Sequence, residues 1–247
     1  MSAPEFRIRA TIDSGSARAK FSAGETAHVR CSHFVNGEAA RALYRELRDN
    51  ECWGLKICDG KRVMGVRPES YRTCTAKERS AHSALAYTAA QSGFAYIREE
   101  LWPLSYGLSD AARLHGATGI GPALTSFAKF AGGPEFAHFL ADVLGVESTV
   151  LLRLAAERYR PGQFFGFTKG APPDAKFGVC WDLTPSWIAE WGGLLEFCDF
   201  GGAHVQTYVP RFNSITLYGL WKSRGISCVA PFSRRVRYCL VGYLGAG

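Results

Sequence analysis

The amino-acid sequence has 247 residues, of which 47% are apolar and 21% are charged. This balance allows a sizeable buried core, and it excludes a largely disordered chain. Lysine and arginine outnumber aspartate and glutamate by 29 to 22, which gives a formal net charge of +7. The positive excess favours anionic partners, without saying whether they are polymers or small molecules.

The sequence indicates neither membrane insertion nor disulfide bonding. No apolar run reaches about eighteen residues, and charges recur through the N-terminal residues, so we expect a cytoplasmic protein without membrane contact. The eight cysteines include no Cys-x-x-Cys pair. This argues against a disulfide framework and against a structural zinc site.

The first half of the chain predicts strands followed by helices. Residues 1–30 alternate apolar and polar positions, which favours one or two edge strands. Apolar residues at helical spacing predict a surface helix over 36–49, with an asparagine at its N-terminal cap. Another helix is predicted to begin at Thr75, whose side chain would form a capping box with Glu78, and to stop at Gly93.

Two more helices are predicted before the pattern changes. Each has proline in its first turn and glycine just past its end, and they span Pro122–Ala131 and Pro134–Leu144. After Gly145 the chain holds seven short apolar and β-branched runs between turn residues, the pattern of a sandwich or jelly roll. The runs are residues 151–159, 177–183, 194–200, 204–209, 214–220, 227–232 and 237–244.

Several motifs in the second half resemble those of the 2-oxoglutarate/Fe(II) oxygenases of the prolyl-hydroxylase type. They cover about residues 90–247, and their joint spacing is more specific than any single motif. The motifs are residues 159–164 (YRPGQF), Trp187 with residues 191–197 (WGGLLEF), residues 210–213 (PRFN), residues 229–232 (VAPF) and residues 237–243 (RYCLVGY). The catalytic domain of that family is a double-stranded β-helix.

Pattern and resemblance together predict a mostly β fold with helical support (α+β). The core would be a double-stranded β-helix, or jelly roll, preceded by helices. We expect one domain over residues 1–247, with a strand and helical support region over 1–145 and the β-helix core over 146–247. No internal repeat, low-complexity tract or linker divides the chain.

The resemblance implies a His-x-Asp motif and a distal histidine as iron ligands, and the sequence lacks all three. The histidine position falls on Thr168 and the aspartate position on Gly170. The distal histidine position falls on Arg224, or on Ser227 after a slip of one to three residues. Because a hydroxyl is a poor Fe(II) ligand, glycine has no side chain and a guanidinium repels a divalent cation, we expect no metal and no cofactor.

Basic residues remain where the family binds its cosubstrate. Arg237 occupies the position of the arginine that clamps 2-oxoglutarate, and strand alternation turns Arg237 and Cys239 to one face. A solvent-facing Arg237 is the alternative. Tyr159 matches a pocket tyrosine, although a buried core tyrosine would fit as well, and Lys169 would add positive charge at the mouth. The predicted substrate-binding residues are Tyr159, Thr168, Lys169, Arg224 and Arg237.

These features lead to the hypothesis of a metal-independent enzyme in which Arg224 and Arg237 act catalytically on a small anionic substrate. Fixed cations stabilise a leaving sulfate or phosphate, which suits an elimination or intramolecular cyclisation in small-molecule biosynthesis. A non-catalytic binding or scaffold protein is one alternative. Another is a 2-oxoglutarate-dependent oxygenase with an unusual metal site near Asp174 or His204.

The sequence does not rank the candidates for a general base, because a base must reach the proton that it removes. The candidates are Asp174, Asp182, Glu196 and His204. Arginines are scattered rather than aligned on one helix or strand, so no nucleic-acid partner is expected.

Overall fold

The computed structural model describes residues 3–10, 28–104, 119–168, 172–199 and 203–246. Five helices lie within these ranges: α1 Gly37–Asp49, α2 Pro68–Thr73, α3 Ala76–Ala90, α4 Pro122–Ala131 and α5 Pro134–Leu144. The strands of the same ranges are β1 His28–Cys31, β2 Trp53–Cys58, β3 Val63–Val66, β4 Tyr96–Leu101, β5 Thr149–Tyr159, β6 Phe164–Thr168, β7 Phe177–Asp182, β8 Leu195–Cys198, β9 His204–Tyr208, β10 Ser214–Gly219, β11 Ser223–Ile226 and β12 Arg237–Ala246.

The predicted helices are confirmed, and α4 and α5 have the predicted bounds. The capping box of α3 is present, since the Thr75 side chain accepts from the backbone N–H of Glu78 and the Glu78 carboxylate accepts from the N–H of Thr75. Asn36 precedes α1 without a side-chain cap. Its amide instead accepts a hydrogen bond from the Arg7 N–H at 3.0 Å, which fastens the N-terminal segment to the helix.

Six of the seven predicted strand segments in the second half are confirmed, and the prediction for residues 227–232 is wrong. The strand lies just before that segment, at β11. Pro231 lacks an N–H for a ladder, and the Val229 backbone bonds to Gln163 and Gly162 outside any strand. β11 was not predicted because the charged Arg224 interrupts the apolar pattern of this segment. Strands β2, β3 and β4 and helix α2 were not predicted from the sequence.

The strands form one curled sheet. Along its main path the order is β1-β10-β7-β12-β5-β4-β6-β11-β8-β9, so β4 lies between two strands of the second half. The two ends of the path meet, because the His28 ring on β1 stacks on the Phe197 ring on β8 with centroids 4.8 Å apart. Tyr208 on β9 also contacts His28, at 5.3 Å. The predicted mostly β, jelly-roll-like fold with helical support is therefore confirmed.

Apolar packing holds the helices against the outer face of this sheet. Trp181 on β7 is buried, and its ring lies 5.3 Å from Phe34 and 5.1 Å from Phe127 on α4. Phe6 from the N-terminal segment joins the same cluster against Phe127. The opposite, inner face of the sheet carries a second cluster of buried apolar and aromatic side chains, among them Phe165, Phe197 and Tyr218, together with buried charged groups. No helix of the described ranges is long and apolar enough to cross a membrane.

Candidate functional site

A belt of side chains surrounds the inside of the curled sheet near one end. One row runs across β12, β7, β10 and β1, where Gly178 pairs with both Tyr243 and Tyr218, and Tyr218 pairs with His28. The facing row crosses β8, β11 and β6, where Arg224 pairs with both Phe197 and Thr168. We call these seven residues the belt: His28, Tyr218, Gly178, Tyr243, Phe197, Arg224 and Thr168.

Aromatic contacts join the two rows of the belt. The Phe197 ring lies 5.3 Å from the Tyr218 ring, and the Arg224 guanidinium lies 5.9 Å from the same ring. Gly178 makes this packing feasible, because a Cβ at that position would overlap the ring of Tyr218. A small residue in the middle of the row therefore lets Tyr218 lie close against β7.

Arg224 is a buried cation inside the sheet. Its side chain is 3% exposed, its guanidinium lies 4.7 Å from the Phe165 ring, and its Nη1 has no hydrogen-bond partner. Burial alone would lower the pKa of this group, but nearby phenols and the Glu157 carboxylate raise it above its ordinary value. Arg224 therefore stays charged, with one buried donor unused.

A carboxylate network lies beside Arg224 within the same interior. Glu157 on β5 is 2% exposed and accepts a hydrogen bond from the Tyr159 hydroxyl at 2.6 Å. Arg98 on β4 pairs with Glu157 at 3.2 Å and with Glu100 at 3.5 Å. Burial would raise the pKa of Glu157, but Arg98 and then Arg224 outweigh it and hold the pKa below its ordinary value. Glu157 is therefore ionised and serves as a counter-charge.

Arg237 lies deeper in the sheet and is fully buried. Its Nη2 and Nε donate to one oxygen of Asp182 at 2.6 and 3.2 Å, and its Nη1 donates to the Gly193 carbonyl at 2.7 Å. Arg30 approaches the other Asp182 oxygen at 3.4 Å. The solvent-facing alternative for Arg237 is wrong. Its role as an anion clamp stays a prediction, and a ligand there would compete with Asp182.

Solved structures share this architecture, although no family model and no curated protein matches the sequence. A 2OG-Fe(II) oxygenase family oxidoreductase from Burkholderia pseudomallei has a TM-score of 0.59 at 13% identity, over 99% of this chain and 96% of its own. AviO1 from Streptomyces viridochromogenes has a TM-score of 0.55 at 11% identity, over 96% of each chain. A prolyl 4-hydroxylase from Phytophthora capsici has a TM-score of 0.51 at 16% identity, over 98% of this chain and 68% of its own.

This chain has the fold of the 2-oxoglutarate/Fe(II) oxygenases. At such identities the likeness concerns the fold and does not extend to the reaction.

The donor set does not fit the iron that the oxygenase fold implies. Thr168 and Arg224, at the two positions where the resemblance expects imidazoles, lie directly opposite each other on β6 and β11. A neutral hydroxyl facing a guanidinium cation would attract a divalent ion far less than two imidazoles do. Among the described residues no three His, Cys, Asp or Glu side chains group as metal ligands. Gly170, at the aspartate position, lies outside the described residues and has no side chain to offer.

The oxygenase fold brings some of the predicted substrate-binding residues together. Thr168 and Arg224 belong to the belt, and Tyr159 is fully buried beside Glu157. Arg237 is close to Tyr159, with its guanidinium 5.9 Å from that ring. Lys169 lies outside the described residues. The alternative for Tyr159, a buried tyrosine of the core, agrees with its burial but leaves its hydroxyl facing the charged network.

The four candidate bases are spread over the oxygenase fold. Asp174 is exposed in a turn, and Asp182 is held by two arginines. Glu196 alternates with the inward-facing Phe197, so it belongs to the outer face of β8. His204 belongs to β9, and its side chain lies outside the described part. None of the three described side chains belongs to the belt.

Sequence reasoning missed Tyr218, His28 and Glu157. Alternation offered a signal for Glu157, because it lies two residues before Tyr159 and so shares its face of β5. Tyr218 and His28 needed the register between β10 and β1, which join residues far apart in sequence. No local motif carries that information.

Proposed function

We propose that the protein is a metal-independent enzyme that binds a small anionic substrate inside the oxygenase-like fold. It catalyses an elimination or an intramolecular cyclisation with loss of sulfate or phosphate, as a lyase or cyclase of small-molecule biosynthesis. The observation that carries the proposal is Arg224, a buried cation with an unpartnered donor at the position expected of an iron ligand.

The proposed reaction needs no oxidant and no reductant. A base removes a proton from carbon, for elimination, or from a nitrogen or oxygen nucleophile, for cyclisation. The electron pair left behind forms the new bond, while the carbon–oxygen bond to the sulfate or phosphate breaks and both of its electrons leave with the anion. Arg224 stabilises the negative charge that develops on the leaving group, and this effect is strongest in a site that excludes water.

His28 is the belt residue best suited to accept the proton. Burial lowers the pKa of its imidazole below the ordinary value of 6.5, so the ring is neutral at pH 7 and can act as a base. Its stacking on Phe197 fixes the ring plane, since the two rings are tilted by only 6°. Phe197 pairs with Arg224, so base and cation flank the same part of the interior.

The test combines metal analysis with two activity assays on the purified protein. We expect no stoichiometric iron and no succinate from 2-oxoglutarate, because Thr168 and Arg224 provide no iron ligands. We expect free anion to appear when the protein is incubated with a broad panel of small sulfate and phosphate esters, without added Fe(II), oxygen or 2-oxoglutarate. Buffer with heat-denatured protein is the control.

Two results would contradict the proposal. One equivalent of bound Fe(II), or decarboxylation of 2-oxoglutarate above background, would restore the oxygenase with an unusual metal site. No anion release across the panel, together with a protein partner whose binding ignores Arg224, would favour the scaffold instead.

A further inference from the structure

We propose that the hydroxyl of Tyr218 completes the anion site of Arg224, and that the group bound between them is a singly charged oxyanion, either a carboxylate or a sulfate monoester. The inference rests on the proposed function, because it assumes that the anionic group of the substrate lies at Arg224. Beyond that function, the inference names Tyr218 as a second residue that binds the substrate, and it restricts the bound group to one with a single negative charge.

Two donors point to this site. The Tyr218 hydroxyl and Arg224 Nη1 are both buried, and neither has a hydrogen-bond partner. The guanidinium lies 5.9 Å from the Tyr218 ring, so both donors lie in one part of the interior. Buried donors without acceptors are rare in folded proteins because each one costs free energy. Two of them in the same part of the belt indicate a place built for an oxyanion.

The surroundings of Tyr218 keep its hydroxyl in the interior. The ring lies against the backbone of Gly178 and packs on Phe197 at 5.3 Å. Burial raises the pKa of the phenol well above its ordinary value of 10.0, so the group stays protonated and can donate. Tyr218 would therefore bind as a neutral donor beside the charged guanidinium.

The charge balance around the belt favours a ligand with one negative charge. Ion pairs connect Arg153 with Glu100, Glu100 with Arg98, and Arg98 with Glu157, and Arg224 lies near Glu157. The Arg153 side chain is 42% exposed, so water screens its charge, and the buried members of the network balance as two arginines against two glutamates. A ligand with one negative charge therefore leaves less uncompensated charge in the interior than a phosphate monoester, which carries nearly two charges above pH 7.

The proposal is tested by thermal unfolding at pH 8 and constant ionic strength with sodium methyl sulfate, sodium propionate or sodium methyl phosphate. We expect methyl sulfate or propionate to raise the unfolding midpoint of the parent more than methyl phosphate does. The salt that acts more strongly distinguishes a sulfate monoester from a carboxylate.

Tyr218→Phe removes only the hydroxyl. Its midpoint without anion should be no lower than that of the parent, because the lost group has no partner, while anion affinity should fall about tenfold or more. Gly178→Ala should also weaken anion binding, since the added methyl group displaces the Tyr218 ring. Tyr87→Phe is the matched control: the Tyr87 hydroxyl donates to the Gly162 carbonyl at 2.8 Å outside the belt, so anion affinity should not change.

Each failure points to one part of the argument. If Tyr218→Phe binds anions like the parent while Arg224→Met does not, the inference is wrong and the proposed function stands. If Tyr218→Phe unfolds at a lower midpoint than Tyr87→Phe without anion, its hydroxyl has a structural partner and the inference is wrong. If methyl phosphate raises the unfolding midpoint of the parent the most, the inference that the ligand carries one negative charge is wrong. If no anion stabilises the parent, the proposed function and the inference fail together.

Discussion

Replacing Arg224 by methionine is expected to lower the rate of anion release by about 10²–10³, with a smaller effect on ground-state binding. The reason is that a fixed buried cation interacts most strongly with charge that develops during the reaction. The measurement is kcat and KM for the ester that the parent cleaves. Methionine keeps most of the side-chain volume, so the packing on Phe165 is retained.

Arg235→Met is the matched control for this variant. Arg235 is exposed, and its guanidinium lies 6.0 Å from the Trp191 ring, outside the belt. Its loss removes the same charge from the chain without touching the interior, so kcat should not change. If both variants lower kcat equally, overall charge rather than position matters, and Arg224 has no special role in the chemical step.

Asp182→Asn is expected to destabilise the protein by about 3–5 kcal/mol. The carboxylate is fully buried between Arg237 and Arg30, so its neutralisation leaves the buried Arg237 and the partly buried Arg30 without their common counter-charge. Urea unfolding of parent and variant measures the loss. Asp49→Asn, which breaks an exposed pair with Arg48, should leave the midpoint essentially unchanged.

A second substitution shows whether charge is the cause. Adding Arg237→Met to Asp182→Asn should restore part of the lost stability, because the buried cation is removed along with its partner. The contradicting result is additivity. If Arg237→Met lowers the free energy of unfolding by the same amount in the parent and in Asp182→Asn, the two residues do not interact energetically. The Asp182→Asn variant also tests whether Arg237 can clamp an anion. If the unpaired Arg237 binds a carboxylate, added propionate should raise the free energy of unfolding of this variant.

Local signals in the sequence predicted the helices well. The prolines and glycines that bound α4 and α5 act within one turn, and so does the Thr75 capping box, so no tertiary information was needed. The strands were predicted where apolar residues alternate or cluster. β11 was missed because it is four residues long and carries an inward-facing arginine.

Only some residues of the candidate site were predicted from the sequence. Resemblance placed Thr168 and Arg224 at positions that prove to be paired across two strands, although they are 56 residues apart by their numbering. Tyr218 and His28 escaped because cross-strand neighbours follow from register, which a single sequence does not encode locally. Likewise, alternation predicted that Arg237 turns inward, but not that Asp182 would accept its hydrogen bonds.

The pairing of β1 with β10 ties the completion of the site to the folding order of the chain. Arg30 donates to the Ser214 hydroxyl across 184 residues of sequence, and His28 joins the belt through the same pair of strands. Closing so long a loop costs conformational entropy. The contacts that offset this cost form only after the intervening strands have folded. During synthesis, the belt therefore cannot be complete until β12, which carries Tyr243, has left the ribosome. A chain in which β1 has not yet paired with β10 lacks the His28 imidazole on Phe197.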